Sequence, residues 1–246
     1  MLSSSEPWES VNFGVASETG FAPVHSAVAV MEWSPMEINP ETLNKALTRL
    51  GLVGSWRFAD VTSLDDEAPV PACAVMLLFP LTGQHESFRA SQLRSDEDDH
   101  KVYFLKQTVG NSCGTVGLLH TVANNKDKLE FESDSVLKKF LEDTVNMSAE
   151  ERARELESSQ EIHKVHDGVA AEGQCQVEEG KMGFHLITFV NVGGQLWELD
   201  GRMNFPVNHG ATNEDSFVMD ASKICRQFVK REKDEVRFSA VALCRA

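Results

Sequence analysis

Basic side chains are scarce in this chain. The 23 Lys and Arg stand against 38 Asp and Glu, a formal charge of −15 over 246 residues. Without a basic stripe to neutralise phosphates, nucleic acid is set aside as a partner. No Lys or Arg precedes Lys45, and Glu6 and Glu9 are acidic. The opening residues therefore have neither the charged start of a secretory signal nor the arginines of a mitochondrial presequence. Residues 1–30 read as a flexible extension, with an edge strand over 24–30 as the alternative, and residues 31–246 as one catalytic domain. Long apolar runs are also missing: none approaches the ~20 residues of a membrane span. The ending Cys244-Arg245-Ala246 is one residue short of a four-residue prenylation box, so no membrane association is expected. Cysteine is sparse, at positions 73, 113, 175, 225 and 244, with no Cys-x-x-Cys pair. That counts against a zinc knuckle or redox dithiol and fits a reducing, cytoplasmic setting. His163 and His166 are three apart but lack further ligands, so no metal is expected.

What is present is an alternation of short apolar runs and amphipathic segments. Asn39-Pro40 is a helix start, with Leu43, Ala46, Leu47 and Leu50 on one face and Gly51 as a stop. Residues 56–61 read as a short strand. Residues 72–79, nearly all apolar and closed by Pro80, read as a buried central strand. Residues 84–93 suggest a surface helix, 95–100 an acidic loop and 102–106 an extended stretch. A helix is expected from Cys113 to Ala123, another over 135–141, and a third opened by a Ser148/Glu151 capping box. Residues 166–181 read as a long loop. Residues 184–190 and 195–199 flank Asn191-Val192-Gly193-Gly194 as a β-hairpin. A final helix over 213–230 and a strand over 236–243 complete an α/β chain.

One stretch carries chemical information. Cys113 lies between Gly110 and Gly117, among small residues, at the start of an apolar helix. A helix N-terminus favours the thiolate, the reactive form of cysteine. His185 opens one strand of the expected hairpin and Asp200 ends the other, so pairing brings them together. A histidine there can serve as general base for Cys113, oriented by the carboxylate. Gln107 could donate its amide N–H to a tetrahedral oxyanion beside the backbone N–H of Cys113, and Asn111 is equally placed to do so. His120 lies two helical turns past Cys113, too far to be the base. His209, between Asn208 and Gly210, reads as a structural loop histidine.

The segments 107–115, Gly183-Phe184-His185, Leu199-Asp200-Gly201-Arg202 and 206–210 resemble those of the short ubiquitin carboxyl-terminal hydrolases. The likeness runs from Met31 to the end almost without gaps, and Met31 coincides with the usual start of those enzymes. It implies a papain-like cysteine peptidase fold, a central antiparallel sheet flanked by helices, with a knotted backbone. It implies Cys113 as nucleophile, His185 as base and acid, Asp200 as its orienter and Gln107 as oxyanion donor, with no cofactor. The partner it implies is ubiquitin, and the loop within 166–181 would cross the active site and admit only small or unfolded adducts. The competing expectation is a protein that holds free monomeric ubiquitin with little turnover.

Overall fold

The computed structural model describes residues 32–62, 64, 71–92, 101–173, 183–232 and 235–245. The expected extension over 1–30, the acidic loop over 95–100 and residues 174–181 of the expected crossing loop lie outside these residues.

The architecture is one antiparallel sheet with helices on both faces. Helix α1, Pro40–Arg49, starts as its sequence predicts: Asn39 Oδ1 accepts from the Thr42 N–H at 2.9 Å, with Pro at the first position. Strands β1, Leu52–Val53, and β2, Trp56–Asp60, follow. Strand β3, Ala72–Pro80, leads to α2, Gly83–Ser91, and then α3, Cys113–Ala123. Strand β4, Glu130–Phe131, pairs with β1 in a two-stranded ribbon. Helices α4, Val136–Thr144, α5, Ala149–Ser158, and α6, Gln160–Ala170, form a consecutive run. Then come β5, Phe184–Val192, β6, Gln195–Leu199, β7, Val207–Ala211, helix α7, Phe217–Arg231, and β8, Ser239–Arg245. The six-stranded sheet has the order β2-β8-β3-β5-β6-β7, with every pair antiparallel.

Alternation along β3 explains its unbroken apolar run. Ala74 and Met76 face the layer containing α1, α3, α4, α5 and α6, whereas Val75, Leu77 and Phe79 face α7. A strand buried on both faces needs no polar alternation. Helix α3 lies very close to the sheet. A Cβ on Gly117 would come within 2.8 Å of Met76 Cε and 2.9 Å of Leu186 Cδ2. This close seating fixes the start of α3 relative to β5, which carries His185. Among the described residues, no helix is long and apolar enough to cross a membrane.

Several boundaries differ from the sequence reading. Residues 166–170 belong to α6, because Val169 and Ala170 continue its buried stripe. The charged run after Ser148 is two helices, since Ser159 ends α5 and accepts from the Ile162 N–H to cap α6. Residues 207–211 form the edge strand β7 rather than a loop, paired to β6. Helix α7 begins at Phe217, after Asn213 has bonded the Asp215 and Ser216 N–H groups in a turn. Strand β8 begins at Ser239 instead of 236, where Val236 is 88 % exposed.

Candidate active site

Cys113 is the first residue of α3. The Ser112 side chain does not cap this helix; its hydroxyl turns back to the Val109 carbonyl at 2.9 Å. The first turn holds no acidic residue. The free N–H groups and positive dipole end are therefore available to charge on the sulfur. The preceding loop is held from outside. The Trp33 N–H donates to the Gly110 carbonyl at 3.1 Å, and the Asn111 side-chain amide donates to the Trp33 carbonyl at 3.0 Å. Asn111 adopts a left-handed backbone, φ 62°, where asparagine is among the tolerated residues. Its amide is thereby engaged with the Trp33 carbonyl.

His185 and Asp200 meet at the open end of the β5–β6 hairpin. Strands β5 and β6 pair from Val192 with Gln195 to Thr188 with Leu199; that register carried one step on sets Asp200 opposite Ile187, and His185, two residues further along β5 on the same face, meets it diagonally. His185 Nε2 donates to Asp200 Oδ1 at 2.6 Å, and both residues are buried. The Arg202 N–H donates to the same oxygen at 2.8 Å. This leaves Nδ1 as the ring nitrogen free to serve the thiol. Burial would push the imidazole down, but the Asp200 carboxylate and a hydrogen bond with Cys113 outweigh it, and the group is held up at about 9. Burial would likewise raise the Asp200 carboxyl, yet His185 and the Arg202 N–H hold it down at about 2. The edge of Phe79, paired with His185 across the sheet, packs against the ring at 5.8 Å between centroids. Cys113 itself is only partly buried, so the sulfur is open to substrate while its partners are dry.

Gln107 reaches the same point through the backbone. Its N–H donates to the Gly201 carbonyl at 2.7 Å, and its side-chain Nε2 makes a longer bond of 3.3 Å to the Val109 carbonyl. The Oε1 atom is buried without a hydrogen-bond partner among the described residues. Gly201 is where these segments touch: a Cβ there would lie 2.9 Å from Val116 Cγ1 and 3.0 Å from Gln107 Cβ. Gly201→Ala is expected to wedge the aspartate segment away from α3 and Gln107, destabilising the fold by about 1–3 kcal/mol. Urea unfolding measures this, and an unchanged midpoint would mean the contact yields freely.

The other histidines divide by environment. His120 is fully buried, with Nε2 against the Leu105 backbone, and burial pushes it down to about 4. His209 in β7 binds Glu198 Oε2 at 2.7 Å, a structural pairing. His166 is buried; Nε2 donates to the Ser34 carbonyl at 2.7 Å, and Nδ1 therefore accepts from the Thr115 hydroxyl at 2.8 Å. That bond ties the first turn of α3 to α6, a role no local pattern announces. His163 stacks on Trp33. Among the described residues, no group of three or more His, Cys, Asp or Glu could hold a metal. Arg89, on a helix read as mere surface, lies behind Asp200 with Nη1 3.8 Å from Oδ2. The Glu86/Arg89 spacing of three was the available signal for an ordered guanidinium, but nothing local pointed it at Asp200.

A partly exposed cysteine at an uncapped helix start, an imidazole engaging it, and a buried carboxylate behind the ring define a cysteine hydrolase of papain-like architecture. The chain belongs to the family described as ubiquitin carboxyl-terminal hydrolase, family 1, whose profile matches residues 33–230. It is similar to the ubiquitin carboxyl-terminal hydrolase isozyme L1 of Sus scrofa, 61% identical over 223 residues, covering 88% of this chain and 100% of that protein. The isozyme L1 of Homo sapiens is 60% identical over the same shares. In fold it is similar to the Trichinella spiralis UCH37 catalytic domain, solved bound to ubiquitin vinyl methyl ester. That match has a TM-score of 0.74 at 22% identity, over 87% of this chain and 96% of the other.

Proposed function

We propose that residues 31–246 form a thiol-dependent hydrolase that cleaves small adducts or short peptides from the C-terminal glycine of ubiquitin through an acyl-enzyme. The observation that carries this reading is the chain of contacts from Cys113 to the His185 ring, and from His185 Nε2 to Asp200 at 2.6 Å. His185 takes the thiol proton, and the Cys113 thiolate attacks the carbonyl of the terminal glycine. Charge on the resulting oxyanion is met by the Cys113 N–H and by the Gln107 amide, each such donor contributing about 3 kcal/mol to the transition state. The imidazolium returns its proton to the leaving group as the C–N or C–O bond breaks, leaving a thioester. His185 then takes a proton from water, whose oxygen attacks the thioester. Breakdown of that second adduct releases the glycine carboxylate and restores the thiol. Thiol chemistry and four free cysteines among the described residues suit a reducing compartment, and we place the protein in the cytoplasm.

The test is a ubiquitin bearing a C-terminal electrophile, followed by turnover of a ubiquitin C-terminal ester. Stoichiometric labelling at Cys113 together with multiple turnovers is expected. Labelling without turnover would instead favour a ubiquitin-holding role, and no reaction with binding intact would defeat the hydrolase reading.

The pH profile follows from the site. Below about 9 the imidazolium is protonated and can serve the leaving group; as pH rises through about 9 it loses that proton. The kcat/KM for the ester is therefore expected to fall on an alkaline limb near pH 9. Stopped-flow rates across pH 5–10.5 measure it, and activity still rising at the alkaline end would contradict the assignment.

A further inference from the structure

Helix α2 brings an unusual pair of groups to the back of the His185–Asp200 pair. The helix is capped by Thr82, whose hydroxyl oxygen accepts from the His85 N–H at 3.0 Å. One turn further on, Arg89 is largely buried, with 14 % of its side chain exposed. Its Nη2 is held by Glu86, which also draws in Arg202 Nη2 at 3.4 Å. Its Nη1 is buried, has no hydrogen-bond partner among the described residues, and stands 3.8 Å from Asp200 Oδ2. That separation is too long for a hydrogen bond but well within range of a strong charge interaction in a dry site. The guanidinium is thus held short of the carboxylate by its bond to Glu86. His85, on the same face, is 3 % exposed and packs edge-on against Phe79 at 4.6 Å. Burial pushes it down to about 4, so it is neutral at working pH and adds no competing charge.

We infer that Arg89 is a positioning residue for the hydrolytic reaction, a cation set behind Asp200 that limits how firmly the carboxylate holds the His185 proton. The need for such a device follows from the two jobs of the imidazole. It must be an imidazolium to pair with the thiolate, yet it must release that proton to the leaving group and later accept one from water. A dry, unopposed carboxylate at 2.6 Å favours the protonated ring at every step. An over-stabilised imidazolium is a poor proton donor, and its neutral form is scarce when water must be activated. A positive charge on the far oxygen draws on the same carboxylate from behind and weakens its pull. Glu86 sets the strength of that opposition by sharing the guanidinium. Among the described residues, the charged and titratable groups around Asp200 and its histidine are His185 from β5, Cys113 and the buried, neutral His120 from α3, Arg202 from the turn after β6, and His85, Glu86 and Arg89 from α2; Arg231 of α7 adds its charge at His85.

This inference rests on the hydrolase reading for its purpose, but its test does not need ubiquitin. The full chain, isotope-labelled at histidine, is titrated by NMR to follow the His185 ring in wild type, Arg89→Met, Arg89→Lys and Glu86→Gln. Arg89→Met is expected to shift the His185 midpoint upward by about one pH unit, the effect of removing a unit charge several ångströms away at high effective dielectric. Arg89→Lys keeps the charge and is expected to restore most of the midpoint. Glu86→Gln frees the guanidinium toward Asp200 and is expected to move the midpoint down. Glu86 is only half-buried and its replacement is isosteric, so this variant keeps the test alive if Arg89→Met fails to fold. With the ubiquitin ester, Arg89→Met should lower kcat at neutral pH by about threefold with KM nearly unchanged, and raise the alkaline limb. An unmoved midpoint in Arg89→Met overturns the inference, as does a Lys variant that titrates like the Met variant, or a Glu86→Gln midpoint that does not fall. Wild type that titrates as expected but never turns over the ester would sink the hydrolase reading and leave the Arg89 result standing as electrostatics.

Discussion

Cys113→Ala is expected to abolish turnover of a ubiquitin C-terminal ester, by a factor of about 10⁴ or more, while leaving the fold and ubiquitin binding nearly intact. Among the described residues, no second thiol is placed to take over. Cys73 and Cys225 are buried in apolar surroundings that push their thiols up to about 12, and Cys244 lies in β8 at the edge of the other core. The predicted change in stability is small for a geometric reason. The sulfur sits at the rim of the core, partly exposed, so its removal opens little cavity. Cys225→Ala should show the reverse partition. That residue is fully buried against the sheet from α7, and its truncation should cost about 1 kcal/mol or more of stability with turnover unchanged. Calorimetry and single-turnover kinetics on the two variants separate nucleophile from packing. Substantial turnover in Cys113→Ala would move the chemistry to another residue.

The parts of the site legible in the sequence are those set by local rules. A helix start among glycines marks Cys113, and two short apolar runs separated by Asn191-Val192-Gly193-Gly194 mark the hairpin that joins His185 to Asp200. Register in a hairpin follows from its turn, so two residues fifteen apart could be paired without any long-range information. Strand β3 was equally legible, because burial on both faces leaves an unbroken apolar run. What stayed hidden depends on contacts between distant segments. The bond from His166 to Ser34 spans 132 positions, and the approach of Arg89 to Asp200 joins a helix that looks like surface to a carboxylate more than a hundred residues later. Edge strand β7 was missed because Asn, His and Gly weaken any strand pattern; its pairing to β6 and the His209–Glu198 bond outweigh local propensity. Gln107 could be assigned a role by spacing alone, but the reason it sits there is the seamless contact with Gly201, which no composition reveals.

Asp200→Asn is expected to lower kcat by about a hundredfold or more while KM and the fold are largely retained. The geometry allows the amide to fit. Oδ1 accepts from both His185 Nε2 and the Arg202 N–H, so an asparagine would keep its carbonyl oxygen on that side. The amide NH2 would then face Arg89, where a donor gains nothing. The opposite orientation is worse, because it sets an NH2 against two further donors. The ring therefore stays in place but loses its counter-charge. With the carboxylate gone, burial of the imidazole is no longer offset, and the His185 midpoint should fall from about 9 to below its ordinary value near 6.5. At neutral pH the ring would be neutral and the thiol less readily ionised, so both attack and protonation of the leaving group suffer. The alkaline limb should move to lower pH in step with the NMR titration of His185. Asp200→Ala removes the acceptor altogether, stranding the buried His185 N–H and the part-buried Arg202 N–H, and should add a stability loss of about 3 kcal/mol to the kinetic defect. Wild-type kcat in Asp200→Asn, or an alkaline limb that stays near pH 9 without the carboxylate, would show that the carboxylate does not set the proton affinity of His185.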